Sequence, residues 1–332
     1  MKRITAIVMC CFILFVTSVQ VFAADNTGDN LLNSTQLSIK RFMGRLNNED
    51  SKETARQTLR QIGMQEREIQ AVSDEYLDMV YNAKSISVNV AYGKMDSNGM
   101  ETPLPEDVCL EQAERAKAEQ QTMVNAQPNA SSKPLSANAE NMETDSYFKK
   151  VLTVIETSNA PKGTMGIICS FQWLNSPLYR ALDAIVLSCS EINFHATTAS
   201  MTFLATEKTE SGLTHKQTKE ILQYFDYDQM KSADKFIHYD HLIAFKHNLP
   251  NDTYTLDYRD YFTDMGFLLT VSTIIVHETV NTNFTVTASY FHQFLGFESD
   301  IAFSGEGASV TIDKEWKYWD PKQIGVNGYY QA

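Results

Sequence analysis

One stretch near the C-terminus decides the fold class: Thr282-Asn283-Phe284-Thr285-Val286-Thr287-Ala288-Ser289-Tyr290. Apolar side chains occupy every second position, and threonine, serine or asparagine fill the positions between them. Successive side chains of a strand point to opposite faces, so this alternation predicts a β-strand with one buried and one solvated face. The stretch therefore belongs to a sheet that packs against a core.

The surrounding region, residues 146–332, has the same character. Turn signals such as Ala160-Pro161-Lys162-Gly163 separate its apolar stretches, and little of it has a helical period. Many strands with few helices between them predict an antiparallel β-sandwich. The stretch 214–224 is ambiguous, because its pattern also allows a helix inserted between strands. Candidate strands cover 147–157, 164–174, 184–193, 197–207, 236–247, 266–278, 283–293, 299–304 and 308–313.

Residues 31–122 differ, because most of them follow a helical period. Leu37, Phe42 and Leu46 predict a short first helix. The run Asp50-Ser51-Lys52-Glu53 has the spacing of a capping box, which predicts the start of the next helix. The period changes to two over 86–92, which predicts a strand. We therefore expect a small, mostly helical α+β region before the sandwich and a mainly β fold overall.

Two segments lack the side chains of a packed core. Residues 24–30 are polar, and residues 123–145 are rich in asparagine, alanine, serine, proline and glutamate. Such a composition buries too little apolar surface to offset the entropy lost on ordering. We therefore predict that 24–30 is disordered and that 123–145 links the helical region to the sandwich.

The first residues predict export. Lys2 and Arg3 precede an apolar run that continues to about Val16, and the small residues Ala23 and Ala24 follow. This is the pattern of a secretory signal peptide, residues 1–23, with cleavage after Ala23. The apolar run is shorter than the ~20 residues that a spanning helix needs, and no second long apolar segment follows. The mature chain is thus predicted to be extracellular, without a transmembrane segment.

The net charge of the chain limits the classes of partner that it can bind. The formal net charge is −13 at pH 7. An acidic chain without a basic run is repelled by phosphate backbones, so nucleic acid is not an expected partner.

Three cysteines remain after the leader is removed, too few for a disulfide scaffold. Cys169 and Cys189 are equally far from Tyr179, so a hairpin turning there would place them opposite each other. A disulfide and two buried free thiols are then the alternatives.

No catalytic or metal-binding motif stands out. His238, Asp240 and His241 are close in sequence, but in a strand the two imidazoles point to opposite faces. The sequence contains no Gly-x-Ser-x-Gly, and its cysteines and histidines lack the surroundings of a nucleophile–base pair. We predict no catalytic residue, no metal and no cofactor. A glycosidase-type carboxylate pair stays open, since the fold and not local spacing sets such a pair.

Aromatic residues crowd the C-terminus and offer the best ligand site. Trp316, Trp319 and Tyr329 are the candidates for ligand binding, because exposed aromatic faces on β-sandwiches can stack on sugar rings. The alternative is that the two tryptophans close one end of the sandwich core, as most tryptophan surface in a domain is buried.

One short motif supports a resemblance. The run Trp173-Leu174-Asn175-Ser176-Pro177-Leu178-Tyr179-Arg180-Ala181-Leu182-Asp183 resembles a W-L-x-x-P-x-x-R-x-x-D pattern of secreted, uncharacterised proteins of Gram-positive bacteria. The run Phe245-Lys246-His247-Asn248-Leu249-Pro250-Asn251-Asp252 is similar to a second signature of that group. The resemblance implies a Gram-positive extracellular setting and implies no activity. From the residues themselves we expect a structural group, in which Arg180 pairs with Asp183 and Trp173 anchors the strand end in the core.

These observations favour a non-enzymatic extracellular binding or interaction protein, whose partner is a glycan or a protein at the cell surface. A secreted hydrolase directed at glycans and a structural component of the cell envelope are the alternatives. A deep cleft with converging carboxylates would favour the hydrolase, and a flat sheet face bearing aromatic residues would favour the binding protein.

Overall fold

The computed structural model describes residues 34–37, 48–96, 101–126, 145–157, 163–177, 180, 182–211, 215–232, 236–254, 258–275, 281–292 and 324–330. The described strands are β1 Ser34–Leu37, β2 Ala83–Met95, β3 Glu101–Leu104, β4 Ser146–Thr157, β5 Thr164–Trp173, β6 Leu182–Ser190, β7 Ile192–Ser211, β8 His215–Phe225, β9 Phe236–Tyr239, β10 Leu242–Asn248, β11 Thr253–Tyr254, β12 Tyr258–Ile275, β13 Thr282–His292 and β14 Ile324–Tyr330. The described helices are α1 Asn48–Gln61, α2 Glu66–Ala71, α3 Asp74–Tyr81, α4 Glu106–Ala126 and α5 Tyr227–Ser232.

The described strands form two antiparallel sheets. The larger has the order β1-β2-β4-β5-β12-β7-β8, with β3 also paired to β2 and β11 also paired to β12. The smaller has the order β14-β13-β6-β10-β9. The predicted mainly β, sandwich-like fold is therefore confirmed, and the stretch 282–290 lies in β13 as a strand of the smaller sheet.

The main core lies between the two sheets. Trp173, Phe171 and Phe148 of the larger sheet and Tyr290 of the smaller sheet are each at most 2% exposed and belong to one apolar cluster. Alternate residues of the larger sheet point the other way and are covered by helices. Leu59, Ile69 and Leu77 of α1, α2 and α3 are buried there against Ile155, Ile168 and Leu204. The molecule thus has a helical layer on the outer face of the larger sheet.

Local sequence explains the short helix α2. The backbone N–H of Gln65 donates to Glu68 Oε2 at 2.6 Å, and Gln65 completes a capping box with the first turn. This cap satisfies N–H groups that a helix end otherwise leaves without a partner. Ile69 points into the core, which fixes α2 on the sheet.

The predicted regions 31–122 and 146–332 both contribute strands to the larger sheet. Strand β2, which precedes the predicted linker 123–145, pairs with β4, which follows it, from Ala83↔Thr157 to Met95↔Ser146. The helical region consequently shares its core with the strands after the linker. Residues 127–144 of that linker lie outside the described residues, as do the predicted signal peptide 1–23, the segment 24–30 and the predicted strands 299–304 and 308–313.

The structure corrects one local expectation and decides two points that the sequence left open. Residues 34–37 form a strand paired with β2, not the start of a helix. From residue 215 onward the ambiguous stretch is a strand: β8, His215–Phe225, pairs with β7 over its length. Cys169 and Cys189 do not face each other in a hairpin, because β5 and β6 lie in different sheets, and both thiols are free. Strand β5 pairs instead with β4 and β12, and β6 pairs with β13 and β10.

Candidate functional site

A groove lies between α2 and β8, on the helical side of the larger sheet. Its volume is about 370 Å³. Such a volume is at the lower end of the range that small-ligand sites occupy. The groove is lined by Gln65, Glu66, Arg67, Gln70, Glu220, Ile221 and Leu222.

Arg67 provides the unusual feature of this groove. Its three guanidinium nitrogens are buried, and none has a hydrogen-bond partner among the described residues. A buried charge is ordinarily paired, because desolvation costs far more than the small gain from packing its stem. Burial lowers the pKa of the Arg67 guanidinium, and the negative charges of Asp264, Glu68 and Glu220 oppose that shift. A guanidinium remains protonated in proteins, so the groove holds a cation.

One of those carboxylates, Glu68, lies on α2 itself and already accepts hydrogen bonds from other groups. Glu68 is 1% exposed, and its two oxygens accept hydrogen bonds from the Ser170 hydroxyl and from the Gln65 backbone. Because these bonds hold the Glu68 carboxylate against the sheet, it forms no ion pair with Arg67.

The other two carboxylates are also engaged. Glu220 accepts a hydrogen bond from the Thr206 hydroxyl at 3.2 Å, across the β7–β8 pair. Asp264 accepts one from the Thr263 hydroxyl at 2.9 Å and lies 3.7 Å from the Lys117 ammonium. The cation in the groove is thus surrounded by negative charge at longer range, without a direct contact.

Strand β8, at one side of the groove, carries exposed apolar side chains. Ile221 and Phe225 pack against the core between the sheets. By alternation, Leu222 and Tyr224 of β8 point to the helical side, where they are 50% and 53% exposed. A cation beside exposed leucine and tyrosine is an arrangement that can hold an anionic group and an apolar group of one ligand.

A second polar cluster is buried between the sheets. The Asp183 carboxylate accepts hydrogen bonds from the Tyr290 hydroxyl and from His292 Nδ1, the latter at 2.6 Å. Trp173 Nε1 donates to the same tyrosine hydroxyl at 3.2 Å. Asp183 and His292 are at most 1% exposed, and burial raises the pKa of the Asp183 carboxyl while His292 opposes the shift. This cluster ties the two sheets together and has no opening among the described residues.

The predicted structural group is therefore divided. Trp173 and Asp183 meet through Tyr290, but Arg180 does not pair with Asp183. Arg180 instead forms an ion pair with Asp252 and donates to the Pro250 carbonyl at 3.2 Å. Asp183 is the second residue of β6, and its side chain lies between the sheets. Arg180 precedes the strand and contacts the loop after β10.

The predicted aromatic ligand site is described in part. Tyr329 is 55% exposed on β14, directly opposite Asn283 of β13. Trp316 and Trp319 lie outside the described residues.

Neither a metal centre nor a membrane helix is seen in the part of the chain that the structure describes. No three histidine, cysteine, aspartate or glutamate side chains come close enough there to hold an ion. The helices in the same ranges are too short or too polar to cross a bilayer.

Comparison with known proteins adds little. No protein-family model matches the chain, and a search of curated proteins finds no match. Among solved structures, a collagen-binding domain from a Staphylococcus aureus adhesin is 11% identical, with 49% of this chain and 86% of that chain covered and a TM-score of 0.24. Clostridium perfringens delta-toxin is 7% identical, with 74% and 89% covered and a TM-score of 0.16. Likenesses this weak carry no argument about fold or function.

Sequence reasoning missed the groove. Arg67 stands between two glutamates in a polar helix, a context that ordinarily indicates a solvated side chain. The available signal was in 221–225, where two apolar residues stand on each side of Gln223 at the end of a polar stretch.

Proposed function

We propose that the chain is an exported, non-enzymatic binding protein that holds its ligand in the groove between α2 and β8. The observation that carries this proposal is the Arg67 guanidinium, which is buried at the groove without a hydrogen-bond partner among the described residues. Proteins rarely bury a charge in this way unless something satisfies it. A bound ligand is the simplest source of the missing acceptor.

Binding is favoured over hydrolysis by the position of the acid–base groups. Within the described ranges, Asp183 and His292 form the buried carboxylate–imidazole pair, and both are closed off between the sheets. A general base must reach a proton of its substrate, directly or through one water. The residues that line the groove include no serine, threonine, cysteine or histidine.

The extracellular setting is part of the proposal and rests on the leader. We expect a mature chain that begins at Ala24. Mass measurement of the N-terminus of the protein recovered from the culture medium tests this. A recovered species that retains residues 1–23 would contradict export by cleavage.

A ligand screen tests the binding function. The mature chain is screened against panels of cell-wall glycans, host glycans and short peptides, and every hit is measured again with Leu222→Glu. We expect the substitution to weaken binding at least tenfold, because it places a carboxylate on the apolar side of the groove. Leu110→Glu is the matched control, since Leu110 is 41% exposed on α4, away from the groove. Hits that Leu222→Glu leaves unchanged would refute the groove as the binding site.

A second candidate surface is supported by Tyr329. This half-exposed ring stands opposite Asn283, and Asn327 accepts a hydrogen bond from the Thr285 hydroxyl on the same face. An aromatic ring with amides beside it suits a sugar, which stacks on the ring and bonds at its edge. Tyr329→Ala should abolish a glycan hit from this face and leave a hit in the groove unchanged.

A further inference from the structure

Strand β8 lies at the edge of the larger sheet, beside the groove. Among the described strands it pairs with β7 alone, and its register with β7 runs without a shift from Ser211↔His215 to Met201↔Phe225. Residues 216–220 and 222–224 are exposed. Natural proteins usually protect a long edge with proline, a bulge or a very short strand, since exposed N–H and C=O groups attract another chain. Charged side chains, lysine above all, also protect an edge. Strand β8 contains no proline or glycine, and its charged residues Lys216, Lys219 and Glu220 all lie in its first half, so 221–225 lacks such protection.

The groove stands directly beside this edge. Leu222 contributes to both, because it lines the groove and is half exposed on β8. A helix next to a free strand edge is the arrangement in which extended peptides bind as an added strand, with backbone bonds for affinity and neighbouring pockets for specificity.

We propose that the ligand is an extended peptide that pairs with β8 as an additional strand and places one carboxylate on the Arg67 guanidinium. The inference rests on the proposed function and names its ligand class. A guanidinium binds a carboxylate through two parallel hydrogen bonds, and all three buried nitrogens of Arg67 lack a partner within the described part of the chain. Because these nitrogens are buried, the carboxylate reaches them only if an exposed side chain of the lining, such as that of Gln70, is displaced.

The charges around the groove select one carboxylate over a polyanion. Glu220 lines the groove, so a phosphate or an acidic run would meet like charge there. Glu66 is the second carboxylate of the lining. Glu66 is neutralised by Arg60, whose Nε donates to it at 2.8 Å. Glu220 still has acceptor capacity, which suits an amide N–H of a peptide.

Fluorescence anisotropy with defined probes tests the proposal on the mature chain. The probes are short labelled peptides of alternating threonine and valine that end in a free carboxylate, in an amide, or in glutamate followed by an amide. We expect at least one carboxylate probe to bind about tenfold or more tightly than the neutral amide probe. The two carboxylate probes distinguish a peptide C-terminus from an acidic side chain.

Variants connect this preference to Arg67. Arg67→Gln should remove the difference between the charged and neutral probes, and Arg67→Lys should keep part of it, because lysine retains the charge without the bidentate geometry. Arg115→Gln is the matched control, since Arg115 is exposed on α4. Urea melts of each variant show that it folds.

Backbone methylation tests strand addition. In an extended peptide, alternate N–H groups point to the same side, so only one of the two alternating sets can face β8. Methylating the set that faces β8 blocks pairing with this strand, and methylating the other set leaves the pairing intact. We expect one methylated probe to lose binding and its counterpart to keep it.

Two outcomes overturn the inference. Equal binding of charged and neutral probes, or tight binding that both methylated probes retain, would rule out a strand that carries its carboxylate to Arg67. The proposed function fails separately, when no hit of the wider ligand panel responds to Leu222→Glu. A glycan hit that responds to Leu222→Glu, with no peptide bound, would keep the function and reject the peptide.

Discussion

Replacing Trp173 by alanine removes the largest fully buried side chain in the described part of the chain. Trp173 is 0% exposed, and its ring centroid lies 5.1 Å from Phe171, 5.1 Å from His292, 5.9 Å from Tyr290 and 6.2 Å from Phe148. The ring therefore contacts both sheets, and its loss leaves a cavity at the point where they meet.

The expected cost follows from these contacts. Large-to-small changes at buried tryptophan and phenylalanine cost about 3–5 kcal/mol. Edge-to-face aromatic pairs contribute about 0.5–1.5 kcal/mol each beyond the area that they bury. The Tyr290 hydroxyl also loses the Trp173 donor, although it still donates to Asp183. We therefore expect Trp173→Ala to lower the free energy of unfolding by about 4–5 kcal/mol.

Urea denaturation followed by far-ultraviolet circular dichroism measures this loss. Trp173→Phe keeps one ring but loses the indole donor, so it should lie between the wild type and Trp173→Ala, and it remains measurable if the alanine variant does not fold. Tyr329→Ala is the surface control and should change stability by less than about 0.5 kcal/mol. A loss below about 1 kcal/mol for Trp173→Ala would place this residue outside the core and refute the reasoning.

Three further predictions concern the thiols, the chain connection and a buried ion pair. Burial raises the pKa of Cys109 to about 11 and that of Cys169 to about 12, so native protein should react slowly with a thiol reagent near about pH 8. The denatured, unreduced mature chain should show three free thiols, and a count of one would indicate a disulfide. Limited proteolysis should cut first within 127–144, yet the fragments should elute together on size exclusion because β2 pairs with β4; separate elution would contradict the shared sheet. Lys150→Met should lose about 3–5 kcal/mol in urea melts, since it removes the ammonium that lies 2.7 Å from the buried Glu101 carboxylate. Adding Glu101→Leu should recover most of that loss, and no recovery would refute the pairing.

The strands of the sandwich were predictable because their information is local. Alternation over 282–290 depends only on which side chains face a core, and the structure has β13 at Thr282–His292. The same period marks 86–92, which lies in β2. The sheet to which each strand belongs was not predictable in this way. Strands β5 and β6 follow one another in sequence but lie in different sheets.

The partners of charged residues were the least predictable feature. The spacing of Arg180 and Asp183 suggested a pair, yet Arg180 binds Asp252 and Asp183 binds His292. Each carboxylate has many cations within reach along the chain, and the packing of distant loops decides which of them it meets.

The sequence by itself determined a mainly β chain, because hydrophobic alternation is a property of each strand alone. The first residues likewise predict export, since charge and apolar length are read residue by residue. Only the tertiary structure placed β8 at a sheet edge and set Arg67 beside it without a hydrogen-bond partner among the described residues. The position of β8 depends on which strands pair with it, and the surroundings of Arg67 depend on which carboxylates lie near it in space. Such contacts join residues that are far apart in the chain, so the local sequence pattern does not predict them.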